Sequence, residues 1–378
     1  MRGRVASSLV LGILATAVVG ISQAAAQGAT YTVRVDARPP AGASWQFNRF
    51  FPGGTLQVHP GDVVNFAWRG AGAPHTATLV PEADADAWRG ENQGTGGPYE
   101  LVVLDTAVGG DDGEPIFNPA VLAPSPTGCG SAEAPCAFDG TAVVSSGFQF
   151  SNPADQPSFA VSVDAPEGTY AFLCLLHPGM QATLEVVDPA QAIPAPAEVR
   201  ADARAEVQTA VDVDGPAAER MAQRLRRTDI GGGSERVTLN AGGFVNQVSA
   251  NVFRSRTVRV SVGDEIRFRG MTEIHTVTFP ASSVEELSLE VPRCEVPGPD
   301  TPASSPADCA TPQAFQVALD PRTLFPTESN ALRRPSRFVN SGVFAAPQRV
   351  TFVASRPGTY TYVCIVHGPL MSGTIRVV

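Results

Sequence analysis

Residues 172–180, FLCLLHPGM, place a cysteine, a histidine and a methionine three residues apart at the end of an apolar, strand-like segment. Cys174, His177 and Met180 offer a thiolate, an imidazole and a thioether, and the Pro-Gly pair predicts a tight turn between the last two. His75, in the upstream segment PHTAT, can supply a second imidazole from a neighbouring strand. Two imidazoles, one thiolate and a weak axial thioether form the set that selects copper for electron transfer. Zinc more often gathers further thiolates or keeps a position open for water.

The same pattern occurs again near the C-terminus. Residues 362–371 read YVCIVHGPLM and IHTVT begins at Ile274, so the second set is His275, Cys364, His367 and Met371. Other segments recur in the same order, namely GDVVNF at 61–66 with GDEIRF at 263–268, SSGF at 145–148 with NSGVF at 340–344, and FNPAVLAP at 117–124 with LDPRTLFP at 319–326. These pairs indicate that a whole domain is duplicated, because a short solenoid repeat would recur more often. The second loop has one more residue between its histidine and its methionine, so the axial role of Met371 stays open.

The elements that must position these ligands are short strands. In YTVRVDA, Tyr31, Val33 and Val35 alternate with polar residues, which is the period of a half-buried strand. Similar segments follow in both halves, separated by Pro and Gly turns and without a matching helical period. This pattern predicts an all-β chain with a sandwich or barrel in each half. We expect a first domain over residues 27–190, a linker over 191–235 and a second domain over 236–378.

The linker is rich in alanine, arginine and glutamate, which favours one or two helices. Pro216 suits a first turn, Arg224, Arg226 and Arg227 suit a helix C-terminus, and the three glycines at 231–233 are expected to end the helix. Two alternatives remain for this segment. It either packs on a domain or serves as a semi-rigid spacer.

Charge and cysteine usage limit the environment and the partners. The chain has 27 basic residues against 37 acidic ones, so nucleic acid is a poor candidate partner. Four of the six cysteines form local pairs in the sequence, Cys129 with Cys136 and Cys294 with Cys309, and we expect each pair to form a disulfide. Cys174 and Cys364 remain. They are thiolate ligands, inert core thiols or a third disulfide.

The N-terminus indicates export. MRGR is basic, residues 5–21 are apolar, and SQAAAQ contains a small-residue cleavage motif, which predicts a signal peptide over residues 1–26 and a periplasmic or secreted protein. We expect no membrane span after cleavage. An uncleaved anchor is the alternative, because the apolar segment is nearly long enough to cross a bilayer.

With its ligand pattern, each half resembles the cupredoxins of plastocyanin, amicyanin and azurin type. The resemblance rests on GDVVNF, His75 and CLLHPGM in the first half and on GDEIRF, His275 and CIVHGPLM in the second. It implies two Greek-key β-sandwiches with one copper ion each. By position, the ligands would be His75, Cys174, His177 and Met180, then His275, Cys364, His367 and Met371.

The histidine count bears on catalysis. The chain has five histidines, and the two sets use four, which leaves His59, expected at the surface. Multicopper enzymes of this family need many more imidazoles and place histidines beside the copper cysteine, whereas Cys174 lies between Leu173 and Leu175. We therefore expect that the chain is not an enzyme. Met271, near His275, is expected to be a core residue.

The function that these observations predict is the transfer of single electrons between redox protein partners, with the His177 edge beside Leu176 and Pro178 as the contact surface. One alternative is a periplasmic protein that binds and delivers copper. Another is an interaction module in which only one half binds metal. The number of copper ions per chain separates the last reading from the others.

Overall fold

The computed structural model describes residues 28–70, 73–81, 102–105, 114–150, 156–177, 179–254, 257–271, 273–294, 301–302, 309–310 and 315–378. The signal segment predicted over residues 1–26 lies outside the described residues, and so does Pro178. Within the described ranges, no helix has both the length and the apolar character that crossing a membrane requires.

The first half is built from short strands, because its β-branched and aromatic residues alternate with polar ones. Its one helix in the described ranges is α1 (Pro119–Leu122). The strands are β1 (Thr30–Val35), β2 (Gln46–Phe47), β3 (Phe50–Phe51), β4 (Thr55–Val58), β5 (Val63–Trp68), β6 (Pro74–His75), β7 (Thr78–Val80), β8 (Val102–Asp105), β9 (Glu114–Phe117), β10 (Cys136–Phe138), β11 (Val144–Ser145), β12 (Gln149–Phe150), β13 (Ser158–Val163), β14 (Gly168–Leu173) and β15 (Gln181–Val186).

The connecting segment contains α2 (Pro196–Thr209), a π-helical turn (Ala210–Asp214) and α3 (Gly215–Ala222). The second half adds a 3₁₀ helix (Ala281–Glu285) and α4 (Pro321–Leu324). Its strands are β16 (Leu225–Gly231), β17 (Ser234–Ala241), β18 (Gly243–Val245), β19 (Val248–Ala250), β20 (Val258–Val260), β21 (Glu265–Gly270), β22 (Thr278–Phe279), β23 (Glu290–Cys294), β24 (Thr301–Pro302), β25 (Phe315–Leu319), β26 (Ala331–Leu332), β27 (Val339–Asn340), β28 (Arg349–Ala354), β29 (Gly358–Cys364) and β30 (Gly368–Val377).

Each half is a β-sandwich, which confirms the predicted fold class. In the first half, the sheet β10-β13-β5-β1-β3 faces the sheet β11-β7-β14-β15-β4. In the second half, β16-β17-β21-β28-β26 faces β20-β30-β29-β22-β27. Neighbouring strands are often distant in sequence, as in a Greek key. Each pair of sheets encloses one apolar core, with Phe66 and Phe172 in the first and Phe268 and Tyr362 in the second.

The predicted metal loops join equivalent hairpins. The first loop connects β14 to β15, and the second connects β29 to β30. The upstream histidines lie three residues before the strands that flank these hairpins, since β7 begins at Thr78 and pairs with β14, and β22 begins at Thr278 and pairs with β29. Both hairpins therefore hold a cysteine at the end of a central strand, next to the segment that carries the upstream histidine.

The linker packs between the halves. Ala203 and Ala218 are buried in one apolar cluster with Phe47 of the first half and Val248 of the second. Arg49 forms an ion pair with Glu206 at 3.1 Å. Of the two alternatives for this segment, the structure shows the packed one.

The end of the linker differs from its prediction. Helix α3 ends at Ala222, and Arg226 and Arg227 lie in β16, so the prediction that these arginines end a helix is wrong. The glycines at 231–233 all have positive φ angles, of 85°, 66° and 80°. That conformation makes a hairpin turn, and it lets β16 pair with β17 and lets Leu225 pack against the second core.

The two halves also share sheets and an apolar cluster. β2 pairs with β19 of the second half, and β9 pairs with β25 through Ile116 and Ala318. A mixed cluster contains Leu173 and Leu175 of the first half and Leu289 and Val317 of the second. The halves are thus held together by backbone pairing and by buried apolar surface.

Both expected disulfides are present. Cys129 is bonded to Cys136 and Cys294 to Cys309, whereas Cys174 and Cys364 are free and buried. The third disulfide that the cysteine count left open is therefore not formed in the structure.

Candidate metal centres

The first candidate centre is formed by His75, Cys174 and His177. One ligand atom from each lies within 4.8 Å of the others. Nδ1 of His177 is 3.6 Å from Sγ of Cys174, and Nδ1 of His75 is 4.0 Å from the same sulfur. His75 and Cys174 are buried. The backbone N–H of Cys174 donates to the carbonyl of Met180, which closes the loop that carries His177.

The second centre, formed by His275, Cys364 and His367, has the same arrangement. Its ligand atoms also lie within 4.8 Å of one another. Nδ1 of His367 is 3.4 Å from Sγ of Cys364 and 3.3 Å from Nδ1 of His275. The structure thus brings together six of the eight predicted metal ligands, three in each half.

The two methionines are buried in the cores that contain the cysteines, Met180 with Cys174 and Met371 with Cys364. In the first hairpin Leu173 pairs with Gln181, and the N–H of Cys174 donates to the carbonyl of Met180 just beyond that pair. In the second hairpin Val363 pairs with Ser372 but Cys364 pairs with Gly368, so the register shifts and Met371 lies within the shift. The extra residue of the second loop therefore falls inside β30, at this register shift, where Gly368 has a φ of 70° and Leu370 is 89% exposed.

The donor set fits copper. In each half, a thiol and two imidazole nitrogens converge in a largely buried site beside a buried thioether, which is the set associated with mononuclear electron-transfer copper. His75 and His367 turn Nδ1 toward the sulfur and Nε2 toward a carboxylate. A proton on Nε2 would leave Nδ1 free to bind metal.

Both sulfurs accept a hydrogen bond from the backbone next to the upstream histidine. The N–H groups of Thr76 and Thr276 lie 3.3 Å from Sγ of Cys174 and of Cys364. The Thr76 hydroxyl accepts from the N–H of Leu175 at 2.8 Å, and the Thr276 hydroxyl accepts from the N–H of Ile365 at 2.8 Å. These bonds tie the two segments that carry the ligands to each other in both halves.

The surroundings favour a thiolate in each centre. Burial acts to raise the pKa of the Cys174 thiol, but hydrogen bonds and charge from His177 and His75 outweigh it and lower that pKa well below its usual range. The pKa of Cys364 is lowered in the same way against burial, by His367 and His275. A deprotonated sulfur is the form that binds metal.

The imidazole pKa values move in the opposite direction. Burial acts to lower the pKa of His75, but its bonds to Asp36 and Cys174 raise it to about 9. Burial likewise opposes the charged form of His367, but Cys364 and Glu273 raise its pKa to about 10. Metal binding at either site must therefore displace a proton.

The two centres differ in which histidine meets a carboxylate. In the first, Nε2 of His75 lies 3.2 Å from Oδ2 of Asp36, which is buried. In the second, Nε2 of His367 lies 3.2 Å from Oε2 of Glu273, which is also buried. Although burial opposes ionisation, the bond and charge of His367 hold the pKa of Glu273 well below its usual range.

The downstream histidines of the two centres face the same interdomain space. A cavity of about 200 Å³ between the halves is lined by His177, His367 and Glu273, and by apolar residues that include Leu176, Ile274 and Val366. The His177 edge, which the sequence analysis assigned to an external partner, is thus turned toward the second half.

Sequence reasoning missed Asp36, Glu273 and the two threonines that accept from the metal loops. The threonines are part of the duplicated segments PHTAT and IHTVT, so the repeat itself could have indicated them. Asp36 and Glu273 give no such signal, because the register of the strands places Gly242 and Ala73 at the matching positions.

The two other residues that the sequence singled out lie elsewhere. His59 is next to the turn at Asp62, and its Nε2 is 2.9 Å from the carbonyl of Gln191. Met271 lies after β21, and neither residue belongs to a ligand cluster in the described part of the chain.

No protein-family model matches the chain, and no curated protein has a similar sequence. Solved structures are similar to it at low identity. They include reduced auracyanin from Roseiflexus castenholzii (16% identity, covering 43% of this chain and 100% of that chain, TM-score 0.23), Blue Copper Oxidase from Nitrosomonas europaea (13%, 92% and 85%, 0.21) and a copper-containing nitrite reductase from Thermus scotoductus SA-01 (15%, 93% and 68%, 0.23). At these values the likeness concerns the fold alone.

These similarities overturn one prediction. Two of the three structures are named as an oxidase and a reductase, so the prediction that the chain is not an enzyme is wrong as drawn. The low histidine count argues against a trinuclear copper cluster, which needs many imidazoles. It does not bear on chemistry at a mononuclear centre, and a fold shared with enzymes does not support a non-enzymatic role.

Proposed function

We propose that the chain is an exported copper protein that transfers single electrons, with two histidines, a cysteine and a methionine as the ligands in each half. The ligands would be His75, Cys174, His177 and Met180, and His275, Cys364, His367 and Met371. A bound copper ion would supply reversible one-electron chemistry. Its partners would be redox proteins rather than nucleic acid, given the excess of acidic residues.

The observation that carries the proposal is the repeated convergence of one thiol and two imidazoles within 4.8 Å. Packing alone has no reason to produce the same cluster twice, each time with a methionine buried in the same core as the cysteine.

The residues around each centre favour a rigid site. The backbone N–H groups of Thr76 and Thr276 would stabilise the thiolates, and the threonine hydroxyls hold the cysteine segments in place. Asp36 and Glu273 would fix the rings of His75 and His367. Ligands held in this way should move little when the oxidation state changes, which suits rapid electron transfer.

Export agrees with the two disulfides, which persist in oxidising compartments. A periplasmic or secreted location would follow from cleavage of the predicted signal segment. Mass spectrometry of the N-terminus of the mature protein tests this part of the proposal, with Gln27 as the expected first residue.

Copper content and visible absorption test the main proposal. We expect one copper ion for each half and an intense thiolate-to-copper band. Cys174→Ser and Cys364→Ser should each remove one centre, and the double variant should be colourless. A colourless wild-type protein with a full complement of copper would contradict the proposal, and so would a band that survives in the double variant.

A role in copper delivery gives a different result. An electron carrier must keep its metal through repeated reduction and reoxidation, whereas a delivery protein must release it to an acceptor. Copper content should therefore be measured after many redox cycles in the presence of a strong copper chelator. Rapid loss of the metal with each reduction would favour delivery over electron transfer.

A further inference from the structure

The two carboxylate oxygens of Glu273, beside the second centre, contact different halves of the chain. Oε2 of Glu273 lies 3.2 Å from Nε2 of His367, in its own half. Oε1 accepts a hydrogen bond from the side-chain amide of Asn48, in the first half. Because both oxygens are engaged and the group is buried, the orientation of the carboxylate depends on both halves.

Asn48 is itself fixed by the interface between the halves. It directly follows β2, which pairs with β19. Its backbone N–H donates to the carbonyl of Gln247 at 2.8 Å, and its side-chain amide also donates to the hydroxyl of Ser249 at 3.0 Å. Asn48 and Ser249 are buried. The donor that meets Glu273 is thus positioned by an interdomain β-ladder and not by a mobile surface side chain.

In the described part of the chain, the carboxylate of the first centre has contacts only within its own half. Asp36 follows β1 of the same half, and it accepts from the backbone N–H of Ala37 as well as facing His75. The matching position of the second half is Gly242, where a Cβ would lie 3.1 Å from Nε2 of His275. The two halves therefore place their carboxylates on different histidines, and among the described residues only the second carboxylate is reached from the other half.

We propose that Glu273 is a positioning residue through which the docked first half orients His367, so that metal binding at the second centre depends on the interface and metal binding at the first does not. The inference rests on the proposed copper-binding function. Carboxylates that bind the free N–H of a ligating histidine fix its tautomer and ring orientation, and their loss typically weakens metal binding about 10–100-fold. Asn48 acts one step further out, by holding the carboxylate.

The experiment compares the two centres separately in the full-length chain. Cys174→Ser leaves the second centre as the blue site, and Cys364→Ser leaves the first. In each background, copper affinity is measured by competition with a chelator, and the histidine ring tautomer is read by nitrogen NMR of the diamagnetic Cu(I) form. Asp36→Asn, Glu273→Gln and Asn48→Ala are the test variants. Glu206→Gln, which loses the ion pair between the linker and Arg49, the neighbour of Asn48, is the control for loss of a nearby polar contact.

Glu273→Gln should weaken copper binding at the second centre about 10–100-fold and alter the His367 ring signals, while the first centre is unchanged. Asn48→Ala should change the second centre in the same direction although it lies in the first half, and Asp36→Asn should affect the first centre alone. Glu206→Gln should affect neither.

Two outcomes would overturn the inference. One is a second centre whose affinity and His367 signals do not respond to Asn48→Ala. The other is an equal loss at both centres in Glu273→Gln, which would indicate general destabilisation. Either result leaves the proposed function intact, provided that the parent variants bind copper with a thiolate band. Absence of that band in the parents is the separate failure of the proposed function.

Discussion

Replacing Thr76 by valine should destabilise the first half without removing its thiolate ligand. The Thr76 side chain is fully buried, and its hydroxyl accepts from the N–H of Leu175, directly after Cys174. Valine keeps the β-branched shape but offers no acceptor. The Thr78 hydroxyl donates to the Thr76 hydroxyl, but it also hydrogen-bonds to Ser145 and so keeps a partner in the variant. The main loss is the acceptor for one buried N–H, which costs about 1–3 kcal/mol.

Thermal and urea unfolding of the copper-free protein measure this loss. For a domain of this size, about 1 kcal/mol corresponds to a shift in Tm of roughly 2–4 °C. Thr76→Ser keeps the hydroxyl and is the matched control, with a smaller loss. The thiolate band should keep its intensity in copper-loaded Thr76→Val, because the donor to Sγ of Cys174 is the backbone N–H of Thr76, which valine also has.

The second half offers an independent repeat of the experiment. Thr276 accepts from the N–H of Ile365 at the same distance of 2.8 Å, so Thr276→Val should cost a similar amount. The two networks lie in different cores, and the losses in the double variant should add. A change below about 0.5 kcal/mol in both single variants, the range of ordinary surface substitutions, would refute the reasoning. Loss of copper binding in either variant would refute it as well.

Three further predictions concern pH, the second loop and a disulfide. The stability of the copper-free protein should be nearly independent of pH between about 6.5 and 9, the ordinary pKa values of histidine and cysteine. In that window His75 and His367 lose two protons on unfolding, while Cys174 and Cys364 gain two. These four groups therefore bind the same number of protons in the folded and unfolded states. Stability should fall below this window as the lowered thiol pKa values are approached, and above it as pH rises through the imidazole pKa values of about 9 and 10. In Cys174→Ser/Cys364→Ser the imidazole protons are not balanced, so urea unfolding should show stability falling from about pH 6.5 upward; parallel curves for the two proteins would contradict this. Deletion of Leu370, which is 89% exposed, should leave copper content unchanged and shift the second visible band toward that of the first centre; loss of copper would show that the extra residue is needed to place Met371. Cys129→Ala/Cys136→Ala should lower the free energy of unfolding by about 2 kcal/mol, as expected for a sequence separation of 7, without changing the visible spectrum. A loss of blue copper in that variant would show that the disulfide supports the site.

The residues that gather around each thiol were accessible from the sequence because duplication repeats both their types and their order. A single Cys-x-x-His segment is weak evidence, but PHTAT with CLLHPGM and IHTVT with CIVHGPLM are two versions of one pattern. Alternation in segments such as YTVRVDA likewise gave the β class. The prediction that a helix extends to the end of the linker was wrong, because three consecutive glycines permit a hairpin turn as readily as they end a helix.

The interface between the halves could not be read from the sequence. Asn48 and Glu273 are 225 residues apart, and neither stands in a recognisable motif. Leu176, beside His177, predicts a contact surface but does not identify what covers it. In the structure Leu176 packs with Leu289 and Ile274 of the second half in one mixed cluster.

Comparison of the halves separates what the two centres share from what makes them different. The thiol, the imidazoles, the backbone donor to the sulfur and the threonine acceptor occur in both, with equal distances of 3.3 Å and 2.8 Å for the last two. These shared parts cannot give the two centres different properties. Any measured difference in affinity, spectrum or potential must therefore arise from the parts that duplication did not preserve. Those parts include Asp36, which aligns with Gly242, Glu273, which aligns with Ala73 and is bonded to Asn48, and the extra residue before Met371.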